Sequence, residues 1–102
     1  MRIEYKSTAL RDIQQKRDYI ANTLKNTSAA QKLVHSILSG VSQLSKNPCM
    51  GPLLSSKYGV DSDLRFLVVS KQMVFYRIVD EELITVVRVF DGRQDYMAVL
   101  FE

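Results

Sequence analysis

Four arginines in the second half of the chain point most directly to chemistry. Arg65, Arg77 and Arg88 each lie inside an apolar run, and Arg93 follows a turn signal. A charge inside a strand must face water or a partner, and guanidinium groups bind carboxylates, phosphates and protein surfaces. The pattern therefore predicts a recognition surface, with an ordinary solvated face of paired arginines as the alternative. The acids available for such pairs are Asp63, Asp80 and Asp95.

Enzyme motifs are mostly missing from the sequence. It contains no nucleophile elbow, no phosphate-binding glycine loop and no zinc-ligand spacing. His35, the single histidine, falls within a helical pattern, where we expect it on the exposed side. Cys49, the single cysteine, has no base near it in the sequence, and we expect a small, partly buried residue. The sequence therefore predicts neither a metal site nor a cofactor.

Length and charge limit the possible architectures. The chain has 102 residues and a formal charge of +3, which predicts one domain over residues 1–102. Residues 1–59 carry nine basic and three acidic residues (+6), and residues 60–102 carry five basic and eight acidic ones (−3). No apolar stretch is long enough to span a membrane, and we expect no secretory leader. With one cysteine, we expect a reducing, cytoplasmic setting.

The first half of the chain is predicted to be mostly helical. Residues 1–6 form a short strand, and Ser7 or Thr8 then offers an N-cap for a first helix that runs to about Leu24. Apolar residues again recur at helical spacing from Ser28 to about Ser45. Because the connection between these two stretches is short, they should form an antiparallel αα-hairpin.

The second half is predicted to be a loop followed by strands. Proline and glycine punctuate residues 46–63, whereas β-branched and aromatic residues fill 64–70, 73–79 and 83–90. Short polar connections make these runs an antiparallel meander. The tail at 96–101 is either a helix or an edge strand. The expected fold is α+β, in the order β-α-α-β-β-β, with a two-helix hairpin on one face of an antiparallel sheet and the other face open.

Alternation along each strand predicts which residues share a face with the arginines. Arg65 should lie with Leu67 and Val69, and Arg77 with Phe75 and Val79. By the same rule, Arg88 should lie with Ile84, Val86 and Phe90. If the three faces coincide, the open side of the sheet presents guanidinium groups among apolar side chains.

Local strings in both halves resemble the RelE/ParE superfamily of bacterial type II toxin–antitoxin toxins, the ParE-like subgroup more than the RelE-like one. The resemblance covers nearly the whole chain and depends on the order and spacing of several strings. These are Ala9-Leu10-Arg11-Asp12-Ile13, Ser28-Ala29-Ala30, Asp63-Leu64-Arg65, Val74-Phe75-Tyr76-Arg77-Ile78 and Val87-Arg88-Val89-Phe90-Asp91-Gly92-Arg93-Gln94-Asp95.

The resemblance implies one of two activities on this fold. ParE-type toxins inhibit DNA gyrase, whereas RelE-type toxins cut mRNA in the ribosomal A site. Three observations favour the gyrase inhibitor: Met73 occupies a position where RelE-like enzymes usually place an arginine, the sheet-forming half has a charge of −3, and no histidine lies near the last strands. The expected target-binding residues are Arg65, Arg77, Arg88, Arg93 and Tyr96.

Two alternatives remain open at this point. For the mRNA endonuclease, the resemblance implies that Arg93 stabilises the phosphate and that Arg65 or Lys71 grips the RNA backbone. In this case the general acid is unassigned, because an arginine does not readily give up a proton. The third possibility is an inactive interaction module of the same fold.

All toxin readings imply a cognate antitoxin that binds an amphipathic segment to this chain, and no membrane partner. The basic helical half predicts that this segment, or its flanks, is acidic. The expected antitoxin-binding residues are Arg11, Lys16, Arg17 and Lys32. The alternative is that these charges are only the solvated face of an amphipathic helix.

Overall fold

The first 45 residues form one strand and a helical hairpin, as the sequence predicts. The computed structural model describes residues 1–92 and 96–100. Strand β1 is Arg2–Tyr5, and helix α1, Ser7–Asp18, continues into a π-helical turn at Tyr19–Thr23. Helix α2, Thr27–Ser42, ends in a 3₁₀ turn at Gln43–Ser45. No helix among the described residues is long and apolar enough to cross a membrane.

The beginning of α1 differs from the prediction. Neither Ser7 nor Thr8 is the N-cap; that position belongs to Lys6, whose side chain makes no capping bond. The Thr8 hydroxyl instead donates to the carbonyl oxygen of Val87, 2.9 Å away. Helix α2 is capped as expected for a polar connection: the Asn26 side chain accepts from the N–H of the third helical residue.

Three strands of the second half form the predicted antiparallel meander. They are β2 (Arg65–Val69), β3 (Gln72–Ile78) and β4 (Leu83–Asp91). The sheet order is β1-β4-β3-β2, and β1 pairs with β4 in parallel. The sheet is therefore mixed, not wholly antiparallel, because the chain passes through the helical hairpin between β1 and the meander.

The main core lies between the hairpin and one face of the sheet. Its fully buried members include Ala9 of α1, Ile37 and Val41 of α2, and Val74 and Tyr76 of β3. Apolar side chains at helical spacing thus meet alternate residues of the strands, as the patterns predict.

The second face of the sheet is not open, contrary to expectation. The predicted loop at 46–63 contains a short helix, α3 (Leu54–Tyr58), and the tail forms helix α4 (Tyr96–Leu100). Both contribute apolar residues to a second buried cluster around Phe75 and Phe90. Cys49 lies in the same loop and is exposed, not partly buried.

Candidate functional site

A β-bulge in β4 decides where Arg88 lies. Val86 and Arg88 oppose consecutive residues of β3, so Val87 is an extra residue between them. Arg88 shares a face with Phe90, as expected, with the guanidinium carbon 4.4 Å from the centre of that ring, and the bulge puts Ile84 and Val86 on the opposite face. The expectation that Arg88 shares a face with Ile84 and Val86 was therefore wrong, because those two residues face the hairpin.

Arg88 is bound by an aspartate of α1. Its Nε and Nη2 donate to the two carboxylate oxygens of Asp12 at 2.8 and 3.0 Å. Asp12 is only 7% exposed, and it also accepts from the backbone N–H of Val89 at 2.9 Å. The hydrogen bond to Asp12 raises the pKa of Arg88. Arg88 therefore links β4 to α1, and its guanidinium group is already engaged within the fold.

Helix α1 closes the part of the β4 edge that β1 leaves uncovered. Strand β1 pairs with only the first four residues of β4. Beyond them, side chains from three successive turns of α1 contact the strand backbone. Thr8 donates to the carbonyl of Val87, and Asp12 accepts from the N–H of Val89. The Lys16 ammonium donates to the carbonyl of Val89 at 2.9 Å. Burial lowers the pKa of Lys16. Lys16, an expected antitoxin contact, is therefore already engaged within the fold.

Arg65 lies on the hairpin side of the sheet, opposite Tyr76, and contacts the loop before α3. It donates to the carbonyl of Gly51 at 2.8 Å. The buried Tyr76 hydroxyl donates to the carbonyl of Pro48 at 2.8 Å and accepts from the N–H of Gly51 at 2.9 Å. Burial raises the pKa of Tyr76. These bonds fix the loop against the sheet.

Arg77 lies on the second face, in an ion pair with Asp63 whose closest atoms are 3.1 Å apart. About a third of its side chain is exposed (35%), so it is accessible to a partner. The expected single surface is therefore wrong for the described arginines, because Arg65 faces the hairpin while Arg77 and Arg88 face the other side. Arg93 lies outside the described residues, and Tyr96 opens α4 with its side chain likewise outside them.

Of the residues expected for RNA cleavage, the structure describes Arg65 and Lys71, which lie at opposite ends of β2. Arg65 begins β2, and Lys71 lies in the turn after it, with a left-handed φ of 65°. The length of β2 therefore separates the two residues, and Arg65 is already bonded to the Gly51 carbonyl. His35 is exposed on α2, as predicted. Within residues 1–92 and 96–100, no group of three or more histidines, cysteines or acids could hold a metal.

The outer surface of the hairpin carries exposed charges and exposed apolar side chains. Arg11 and Lys32 are exposed and form no ion pair with any described residue. Arg17 pairs with its neighbour Asp18 at 3.1 Å, and that pair is also exposed. The large apolar residues exposed on the hairpin are Leu10, Tyr19, Leu24 and Leu38. This mixture suits an amphipathic partner segment.

A groove of about 630 Å³ lies where the end of the hairpin that carries the connection between α1 and α2 meets the β2–β3 turn. We call it the tip groove. Gln72 lines it and is only 7% exposed, and its side-chain oxygen has no hydrogen-bond partner among the described residues. The remaining lining residues are Ile20, Leu33, Val68, Ser70, Lys71, Met73, Asp91 and Gly92.

Sequence reasoning missed two polar residues that are buried in the described part of the chain. Asp12 is four residues from both Thr8 and Lys16, which places all three on one side of α1. That spacing is visible in the sequence, but nothing in it indicates that this side of α1 meets the edge of a strand. Gln72 was assigned only to a polar turn, and its burial depends on the hairpin passing over the end of β3.

Comparison with known proteins gives one family and one fold. The family model for the ParE toxin of the type II toxin–antitoxin system parDE matches residues 3–96. A solved structure, the chromosomal ParDE toxin–antitoxin system from P. aeruginosa, is similar with a TM-score of 0.72 and 20% sequence identity, over 89% of this chain and 95% of that one. No curated protein matches this chain.

Proposed function

Because the chain belongs to the ParE toxin family of type II toxin–antitoxin systems, we propose that it inhibits growth by binding DNA gyrase and that a cognate antitoxin neutralises it. The family match over residues 3–96 carries this proposal. The protein would act by occupying a surface of gyrase, without making or breaking a covalent bond of its own.

The surroundings of the arginines support gyrase binding over RNA cleavage. Arg88 is held by Asp12, Arg65 by the Gly51 carbonyl, and Lys71 lies at the far end of β2 from Arg65. A ribonuclease needs its groups to converge on one phosphate. A protein-binding surface has no such requirement, because its contacts spread over many residues.

Among the expected target contacts, we assign direct roles to Arg77, Arg93 and Tyr96. Arg77 has a partly exposed guanidinium whose pair with Asp63 a gyrase carboxylate can replace. Arg65 and Arg88 act indirectly, because their guanidinium groups hold the loop before α3 and helix α1 in place. This division predicts that their loss reduces stability first and activity second.

The antitoxin surface is proposed on the hairpin. Arg11 and Lys32 offer cations without an intramolecular acid partner among the described residues, and exposed leucines and Tyr19 lie on the same hairpin. An acidic amphipathic segment complements both features. Arg17 and Lys16 contribute less in this proposal, since Arg17 has a neighbouring acid and Lys16 is bound to β4.

A supercoiling assay with purified gyrase tests the target. We expect stoichiometric protein to inhibit supercoiling and to leave cleaved DNA attached to gyrase, and we expect its antitoxin, mixed in beforehand, to restore activity. Arg77→Ala should weaken inhibition. Uninhibited supercoiling at stoichiometric protein would refute the gyrase proposal. Cleavage of mRNA between codons in a translating extract would assign the chain to the ribosome-dependent nucleases instead.

A further inference from the structure

Gln72 carries an unsatisfied acceptor that is buried in the wall of the tip groove. The residue is 7% exposed, yet it lines the tip groove, and no described residue bonds its side-chain oxygen. Leaving a buried amide oxygen without a donor is unfavourable, and native folds do so rarely. A ligand that brings an N–H group into the groove would remove this cost once the Gln72 amide turns toward it.

The rest of the groove selects an apolar group beside that donor. Ile20 comes from the π-helical turn, Leu33 from α2 and Met73 from β3, so three separate elements supply aliphatic surface around Gln72. A volume of about 630 Å³ accommodates one or two large side chains and the backbone that carries them.

The groove is continuous with an open stretch of the sheet edge. Strand β2 is the last strand of the sheet, and the first part of its edge is covered, because the N–H of Phe66 donates to the carbonyl of Pro52 at 3.1 Å. By alternation, the backbone groups of Val68 face the same edge. No backbone bond from outside the sheet reaches Val68 among the described residues, and its side chain is 61% exposed. Val68 also lines the tip groove.

Charges at the groove favour an acidic occupant. Lys71 lies at its rim and forms no ion pair within residues 1–92 and 96–100. Asp91, the acid of the groove, interacts electrostatically with Lys16. The adjoining half of the chain, residues 1–59, has a formal charge of +6. A segment with an acidic residue next to its apolar anchor therefore complements this site.

We propose that the tip groove is the anchor site for an extended segment of the antitoxin. The segment pairs with the backbone of Val68, inserts an apolar side chain between Ile20 and Leu33, and donates an N–H to the Gln72 oxygen. This inference rests on the proposed function. It specifies which residues of the toxin recognise the partner and which residue types the partner must supply.

Binding of the full-length cognate antitoxin tests the groove, with affinity measured by calorimetry. Gln72→Leu removes the acceptor and keeps the bulk, and we expect about tenfold weaker binding, corresponding to one lost hydrogen bond. The variant should melt no lower than the wild-type protein, because an unsatisfied amide is also removed. The matched control is Gln43→Leu, at an exposed position that does not line the groove. It should bind normally.

Amide hydrogen exchange provides a second measurement that needs no variant. We expect the Val68 amide to exchange slowly in the complex and rapidly in the free protein. If Gln72→Leu and Gln43→Leu bind the antitoxin with equal affinity and the Val68 amide exchanges rapidly in the complex, the groove assignment is overturned and the toxin function is left intact. Protection of Val68 in a self-associated protein without antitoxin would replace the antitoxin by a second copy. Failure of the wild-type protein to bind the antitoxin would refute the proposed function as well.

Discussion

Removal of the buried Asp12 carboxylate should destabilise the fold more than removal of any exposed side chain of α1. Asp12→Ala takes away two charge-assisted bonds to Arg88 and one bond to the N–H of Val89. Breaking a buried ion pair from one side costs about 3–5 kcal/mol. The side chain of Arg88 is 28% exposed, so water compensates part of its lost partner, and we expect the lower end, about 3 kcal/mol.

A loss of this size is easily measured in a domain whose total stability is of the order of 5–15 kcal/mol. For about 100 residues, each kcal/mol lowers Tm by roughly 4–8 °C, so Asp12→Ala should melt about 12–24 °C lower. Urea unfolding followed by circular dichroism gives the free energy directly. Asp18→Ala on the same helix is the matched control, because its pair with Arg17 is exposed and contributes at most about 1 kcal/mol.

A double-mutant cycle separates the ion pair from the other contacts of Asp12. Arg88→Met removes the guanidinium and keeps most of the chain length over Phe90. Because Asp12 and Arg88 are in direct contact, the coupling energy between them should be about 1–3 kcal/mol. If Asp12→Ala and Asp18→Ala unfold at the same urea concentration, the closure of the β4 edge by α1 contributes no stability, and the reasoning is refuted.

Three further predictions concern the loop before α3 and the second face. Gly51→Ala should lose about 1–3 kcal/mol in urea unfolding, because a Cβ there would collide with the carbonyl oxygen of Phe66 and the Tyr76 hydroxyl. Stability should fall as pH rises above about 10, since burial raises the pKa of Tyr76 and the folded chain keeps a proton that the unfolded chain loses. Tyr76→Phe should make that fall shallower in unfolding measured from pH 8 to 11, and an unchanged slope would contradict the assignment. Arg77→Ala should change Tm by only a few degrees, since its pair with Asp63 is exposed, and should weaken gyrase inhibition; full inhibition would remove Arg77 from the contact surface.

The sequence was sufficient for the two long helices and the strands, and insufficient for the faces of the sheet. Apolar spacing predicted the hairpin and the meander, because helical and strand periods are local properties. The bulge at Val87 shifts the alternation by one residue, and with it the side on which Arg88 lies. A bulge depends on what the partner strand and helix require, so parity counted along β4 alone gave the wrong face.

The second buried cluster was also beyond the reach of local patterns. Its cover comes from α3, inside a segment punctuated by proline and glycine, and from α4 in the tail. Helices of five residues carry little periodicity of their own, and their stability comes from packing. The open face was therefore a reasonable inference from element order and a wrong one, because Phe75 and Phe90 need cover that only the assembled chain provides.

The contacts between α1 and β4 join residues far apart in the sequence, and this sets the order in which a newly made chain can fold. The bonds of Thr8, Asp12 and Lys16 to β4 span 79, 77 and 73 residues. At about 5–20 residues per second, translation takes roughly 4–15 s to reach β4 after α1 has been made. During this interval, α1 and β1 have no strand to pack against, and contacts of such separation also form slowly. The nascent toxin therefore spends seconds as an unfinished sheet, a period in which an antitoxin already present can meet it before its target does.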